Sequence, residues 1–434
     1  NGVLHALSGK RAAVEENGPL FAVVKVEGVF SNALHAVGYP VLARFYFMRG
    51  VPFVKCAFTF INASGETANP MPEITLRGAW AQAHETYAFG AADAHAGAIP
   101  EAGVSLFQDG AVYDKGDLRH PYRITAGDRT LAEGERFDGR AASAAGARRV
   151  GIGVFECWQN NPKRVALARD GFAIGLSTLE SCRNGTPRGH FYHGMAKTQT
   201  LGFDFGGGEA LDDFLAETLV LPSAQWLCDS GVFGAMDPED REHFPAYEQA
   251  REDWVKTFVE WPKRFGDQYG LRDFGDYFGD APHGWMNLET AVGMALFRQF
   301  ARTGRREYFS LARQAVSHYG DVDTCHAEGL GKDPRRELGA VFGHTWHHAG
   351  VEGTLERKTQ GYLGVGGHDW YSELVYVHLL TGDEWLRDCA IQHADCTVYH
   401  IENYFKEDHV LAREYAWPVK NLCAVYAITN NPAY

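Results

Sequence analysis

The chain has 434 residues, 45% of them hydrophobic and 22% charged, which is too long for one ordinary core and predicts two or three domains. Its formal net charge of −14, with no Lys/Arg run, argues against nucleic acid or an anionic membrane as partner. No stretch approaches the roughly twenty apolar residues that span a bilayer.

Residues 1–222 read as β. Residues 22–27 alternate apolar and polar side chains, and 41–48 and 53–61 flank an Arg-Gly-Val-Pro turn, the pattern of a hairpin. Within 53–61, Val54, Cys56, Phe58 and Phe60 share one face, opposite Lys55 and Thr59. Further strands are expected over 74–80, 150–157, 172–179 and 200–205. The Ala-, Gly- and Arg-rich run 134–149 reads as a surface loop. Many short strands with Gly-rich turns predict an antiparallel β-sandwich. The aromatic share, 13%, suits such a core or a sugar-stacking cleft.

A connector over 223–246, punctuated by Pro222, Pro238 and Pro245, leads into a helical domain, 247–434. There the period changes from 2 to 3.6. Residues 247–261 read as a helix. Leu288, Val292, Ala295 and Leu296 mark one face of a helix ending near Thr303-Gly304. Phe309, Ala312, Val316 and Tyr319 mark the next. Trp370, Leu374 and Val377 mark another, ending at Thr381-Gly382, followed by Leu386, Cys389, Ala390 and His393. A last helix runs toward Thr429-Asn430. The segments LFRQFARTGRREYFSLARQA and LVYVHLLTGDEWLRDCAIQH both read helix, Thr-Gly, helix. Glycine accepts the left-handed conformation that ends a helix, and Asp383 can cap the helix after it. Repeated helical hairpins predict stacked pairs, as in an (α/α) toroid, with a plain bundle as the alternative.

Residues 270–383 hold eight of the nineteen histidines, among glycine-separated aromatics and acids. These are the residue types of a polar cleft for acid–base chemistry. The eight cysteines are scattered without a CxxC pair and read as buried thiols, disulfides remaining open for an exported protein. The chain opens on Asn1 with no basic–apolar leader and reads as mature or trimmed. No cofactor and no metal site is read from the spacing, and any Ca²⁺ site is not legible at this level.

The segments VEENGPLFAVVKVEG, GHFYHGMAKTQTLGFDF, WMNLETA, DVDTCH and GHDWYSELVYVHLLTGD together resemble the exo-rhamnogalacturonan lyase family of YetA-like proteins. The last segment is the most specific. The resemblance implies a β-sandwich followed by an (α/α) toroid. Against the family pattern the chain lacks an N-terminal β domain, and its helical part is short for a closed toroid. It further implies a secreted or periplasmic enzyme that cleaves rhamnogalacturonan, an acidic polysaccharide or oligosaccharide, by β-elimination at a uronate. A glycoside hydrolase on a related glycan and a non-catalytic carbohydrate-binding protein are the other readings.

A uronate lyase must neutralise the C6 carboxylate, take the C5 proton and protonate the leaving O4. Fixed donors at the carboxylate give the largest contribution, since charge develops there. A positioned base and acid add roughly 10²–10⁴-fold. His344 and His348 are four apart and share a face on a helix, with His347 beside them. Thr345 after His344 breaks the HExxH zinc pattern. Tyr277 and His283, in a loop before a helix, and Lys197, on a strand, complete the catalytic candidates. Lys197 is either a carboxylate clamp or a base, or a cation on a solvated face. For substrate contact the candidates are His368, Trp370, Asn287, His326 and His347. Trp370 is a sugar platform or core, Asn287 a contact or a cap, and Asp369 reads as a cap. Asp323 is placed to orient His326.

Overall fold

The period-two alternation of the first half folds into two antiparallel sheets. The structure is a computed structural model. It describes residues 6–32, 35–63, 69–70, 73–110, 112–114, 117–178, 190–191, 193–265, 269–276, 288, 291–329, 335, 337–342, 363–364, 366–367, 369–404 and 412–434. The chain divides into two units. One is Asn1–Thr218 with Tyr269–Arg272; the other is Leu219–Gln268 with Asp273–Tyr434.

In the first unit a nine-stranded sheet runs in the order Ala6–Asn17, Phe21–Asn32, His35–Met48, Phe53–Ile61, Ala196–Asp204, Arg148–Val154, Arg140–Ala145, Thr86–Phe89 and His95–Ala98. A six-stranded sheet runs Arg129–Glu135, Pro121–Ala126, Val104–Gln108, Lys163–Leu167, Gly171–Ser177 and Ile74–Ala79. Phe89, Ala141, Ile152, Phe203 and Val54 form one cross-strand row of the larger sheet. Phe203 meets Phe172 of the smaller sheet with ring centroids 5.7 Å apart. The run 134–149 is therefore not a loop. Its strand Arg140–Ala145 lies inside the larger sheet with Ala141 fully buried. Alanine is poor in strand propensity, but here a small side chain is what the space between Phe89 and Ile152 admits, so packing overrides propensity.

A helix also interrupts the β half, contrary to the sequence reading. Glu209–Leu215 (α1) sits on Gly151, Gly153 and Gly202, where a Cβ would meet Leu211 or Phe214 at 3.0, 2.6 and 2.9 Å. Buried Asp204 accepts the Leu211 N–H. Three glycines in adjacent strands make the shallow seat for this helix.

The second unit is helical, with a short antiparallel pair, Val341–Phe342 with Leu363–Gly364. Its helices are Ala224–Asp229 (α2), Pro245–Phe265 (α3), Val292–Thr303 (α4), Arg306–His318 (α5), Ser372–Thr381 (α6), Glu384–Tyr404 (α7) and Ala412–Thr429 (α8). Helix α4 packs on α5, and α6 on α7 and α8. A π-helical turn, Tyr319–Asp323, continues α5. Helix α4 starts four residues later than its apolar face suggests, because Leu288 and Ala291 are left-handed, each with φ 61°. No side chain of Ala291 can cap α4. The carboxyl group of Glu373, from α6, lies near the N–H groups of Gly293 and Met294, and burial raises it to about 8. Gly293 allows this approach, since a Cβ would fall 2.2 Å from Glu373 Oε2.

Three helices end in one way. Thr303, Thr381 and Thr429 each donate a hydroxyl hydrogen bond to the carbonyl four residues back, at 2.6, 2.6 and 2.8 Å. Each hydroxyl then accepts the N–H two residues on. The residue between, Gly304, Gly382 or Asn430, is left-handed. The Thr-Gly repeat is thus a real structural repeat with a third, Thr-Asn copy.

Among the described residues no helix is long and apolar enough to cross a membrane. Cys56, Cys157, Cys228, Cys325, Cys389 and Cys396 are buried free thiols and Cys423 is an exposed one. Cys182 lies outside the described residues.

Candidate functional site

Seven of the ten site residues read from sequence, Tyr277, His283, Asn287, His344, His347, His348 and His368, lie outside the described residues. Lys197, His326 and Trp370 are placed.

Lys197 is in the strand Ala196–Asp204, only 5% exposed, and so does not stand on a solvated face. It shares its face with Gln199, Leu201 and Phe203. A second buried amine, Lys163, lies close enough to feel its charge. Lys163 is fully buried and donates to the carbonyls of Asn160 at 2.5 Å and Leu176 at 2.9 Å. Burial holds its amine down at about 7, with Lys197 adding to the effect and Cys157 opposing it. The two buried amines stand on strands of different sheets, Lys163 in the smaller and Lys197 in the larger.

In the helical unit the segment Asp369–Glu373 is buried throughout. Asp369 is not the cap of α6; the N-cap position is Tyr371, with no side-chain cap. Asp369 faces inward to a cluster built on His393 of α7. The His393 ring lies between Tyr319 and Tyr371, nearly parallel to both, with centroids 5.4 and 5.1 Å away. Thr324 donates its hydroxyl to the Tyr319 carbonyl at 2.8 Å, so it accepts from His393 Nε2, also at 2.8 Å. His393 Nδ1 faces Asp369 Oδ1 at 3.3 Å, and the same oxygen accepts the Tyr319 hydroxyl at 2.7 Å. Burial and the neighbouring Asp369 push both tyrosine hydroxyls well up from their ordinary range, keeping them neutral donors. Asn421 closes the cluster, donating to the Asp369 carbonyl and accepting the Ser372 N–H.

All three members of this Asp-His-Thr string are buried (1, 0 and 0% exposed). The bonds around it fix the backbone at Asp369, Trp370 and Ser372. Trp370 is 3% exposed and meets Trp417 edge-on at 6.2 Å, as a core aromatic.

His326 is bonded at both ring nitrogens, Nε2 to the Gly320 carbonyl at 2.7 Å and Nδ1 to the Gln392 amide at 2.9 Å. Burial pushes it down to about 4, so the ring is neutral. Nε2 then carries the hydrogen and the Gln392 amide must turn its NH₂ toward Nδ1. The neighbour recorded for Asp323 is not His326 but His318. Asp321 instead accepts the Trp385 indole N–H at 2.8 Å.

One further group converges. His318 Nε2 is 3.5 Å from Asp276 Oδ2 and 3.5 Å from Asp323 Oδ1. Among the described residues these three alone bring three metal-ligating side chains within reach of one ion. Neither His318 nor His393 stands out in the sequence, since each sits in an apolar helical stripe. Lys163 had a signal: alternation puts it on the face of Val165 and Leu167.

No family model matches the chain, and no curated protein matches it. Among solved structures it is similar to a putative aldose 1-epimerase from Klebsiella pneumoniae, with 12% identity and a TM-score of 0.26 over 48% of this chain and 58% of that one. It is similar to a galactose mutarotase related enzyme from Lactobacillus acidophilus, with 9% identity and a TM-score of 0.21 over 45% and 71%. It is also similar to a TPR-domain containing protein from Parabacteroides distasonis, with 11% identity and a TM-score of 0.27 over 96% and 75%. The chain thus spans 58% of the Klebsiella protein's length. Likenesses of this size assign neither fold nor activity.

Proposed function

We propose that the protein is a polysaccharide lyase that cleaves an acidic glycan, with rhamnogalacturonan the best-matched substrate, by β-elimination at a uronate, outside the cytoplasm. The observation that supports this is the threefold helix ending at Thr303-Gly304, Thr381-Gly382 and Thr429-Asn430. Two of these endings join paired helices, α4 with α5 and α6 with α7, as in stacked helical hairpins; the third closes α8, the last helix. Hairpins closing into an (α/α) toroid after an antiparallel β-sandwich form the architecture implied by the lyase resemblance.

In this reading His344 and His348 supply the acid–base and carboxylate contacts. Tyr277 and His283 are the further proton donors or acceptors. His368, Asn287 and His347 touch sugar, while the buried His326 and Trp370 back the cleft wall.

The test is digestion of rhamnogalacturonan with two readouts on one sample. A lyase leaves a C4=C5 unsaturated uronate that absorbs in the ultraviolet. Reducing ends that rise without absorbance establish a hydrolase, and neither signal a binding protein; both outcomes overturn the proposal. His344→Ala or His348→Ala should lower kcat at least roughly 100-fold with the fold intact, and KM less, because the lost contact strengthens as charge develops. A lowered melting temperature with unchanged kcat would make these histidines packing groups.

A further inference from the structure

Asp276, His318 and Asp323 come from three places: the chain just after Gly275, the last residue of α5, and the end of the π-helical turn. All three are buried, at 4, 2 and 0% exposure. Two features of the backbone bring them together. The first is the π turn. Residues five apart on an α-helix point roughly 140° away from each other. The wider i to i+5 turn over Tyr319–Asp323 brings Asp323 round to the side of His318. The second is Gly275, whose φ is 104°. A Cβ there would lie 2.3 Å from the Gln314 carbonyl oxygen and 2.9 Å from His318 Cβ. Only glycine lets this strand of chain lie against α5 and present Asp276 to the histidine.

The distances carry the argument. Both carboxylate oxygens approach the same atom, Nε2, at 3.5 Å. A single N–H hydrogen bond between imidazole and carboxylate should draw one oxygen in to about 2.7–2.9 Å. Three ligands on a tetrahedral ion, with bonds of about 2.0–2.2 Å, sit about 3.4 Å apart along each edge. The observed spacing is that of the edge. The donor types agree: two buried carboxyl groups and one imidazole are ligands that a divalent cation takes. One imidazole nitrogen and two carboxylate oxygens suit Zn²⁺.

We propose that Asp276, His318 and Asp323 form a mononuclear Zn²⁺ site, with a fourth position left for water or another donor. The ion ties the chain before residue 277 to the end of α5 and to the π turn. This site does not rest on the lyase reading, and its test does not use activity.

The test begins with the wild-type chain, purified without chelator and then dialysed against dipicolinate. Titration of this apo protein with Zn²⁺ should show one equivalent bound, and Zn²⁺ should raise the melting temperature that dipicolinate lowers. Co²⁺ in place of Zn²⁺ should give the visible d–d bands of a four-coordinate ion. Asp323→Asn and Asp276→Asn should each weaken Zn²⁺ binding by at least about 100-fold, more than loss of an outer-shell partner does. If the apo wild type takes up no stoichiometric Zn²⁺ and melts at the same temperature with and without it, the site is a hydrogen-bonded cluster and the proposal is wrong. Binding that survives both Asp variants and His318→Gln is elsewhere and overturns it equally. The wild-type titration decides the matter even where a variant fails to fold.

Discussion

Lys163 carries a large buried-charge cost. Its ammonium is fully buried and held only by two carbonyls, so its amine titrates at about 7, against 10.5 for the free side chain. Between those two values the unfolded chain binds a proton that the folded chain has released. Stability from this residue therefore rises with pH across that window, by at most on the order of 5 kcal/mol. We expect the difference in unfolding free energy between wild type and Lys163→Met to favour the wild type progressively from pH 7 to 10. Denaturant curves at several pH values measure it; parallel profiles for the two proteins would refute the assignment. The sequence carried part of this. Alternation in Lys163–Leu167 sets Lys163 inside with Val165 and Leu167, yet a charged residue in a strand is ordinarily read as exposed. Lys197 invited the same misreading, and the partner that makes both unusual is visible only once the strands are paired. Likewise Asp369 reads as a cap from its place before α6, and becomes a core acid only because His393 and Tyr319 arrive from other elements.

Among elements, chain-local signals were the legible ones. The Thr-Gly endings of α4 and α6 stand in the sequence because a left-handed C-cap selects glycine within a few residues. The third ending, at Asn430, follows from asparagine's tolerance of that conformation. The start of α4 was not legible: its apolar period extends back to Leu288, but backbone geometry there is left-handed, and the group that lies against the helix start is the carboxyl of Glu373, eighty residues away in sequence. The contrast yields a ranking. At Gly304 and Gly382 a Cβ meets nothing within 4 Å, so alanine costs only the left-handed backbone, about 1 kcal/mol. At Gly293 the backbone is helical but a Cβ would fall on Glu373 Oε2. We expect Gly293→Ala to destabilise by more than either C-cap variant, roughly 3 kcal/mol, through overpacking and displacement of a buried carboxylate. Chemical denaturation of the three variants side by side checks the order, and equal losses would show that Glu373 moves aside freely. The strand Arg140–Ala145 was missed for the opposite reason. Its alanines carry no β preference, and only the large residues on the flanking strands make small ones necessary.

For the whole molecule, the mixture of sheet and helix followed from the change of period, but the route of the chain did not. After α3 the backbone contributes Tyr269–Arg272 to the two-sheet unit before the helical unit resumes at Asp273. No composition shift marks this return. It is held by Gly270 and Leu271, whose N–H groups donate to the carbonyls of Gln159 at 2.7 Å and Asn161 at 2.9 Å. The Tyr269 ring packs on Trp158, with centroids 4.6 Å apart, and on His120 at 5.2 Å. A segment fixed by two backbone bonds and one aromatic cluster should depend heavily on that ring, which is half-buried. We expect Tyr269→Ala to cost roughly 2 kcal/mol, below the full core value because part of the ring is already in water. The loss should be local. Hydrogen exchange should accelerate in peptides around Trp158, Asn161 and His120, while those covering α6 and α7 keep wild-type protection. Gly382→Ala should do the reverse. If both substitutions loosen the same peptides to the same degree, the two units open as one, and the independence of their cores is disproved.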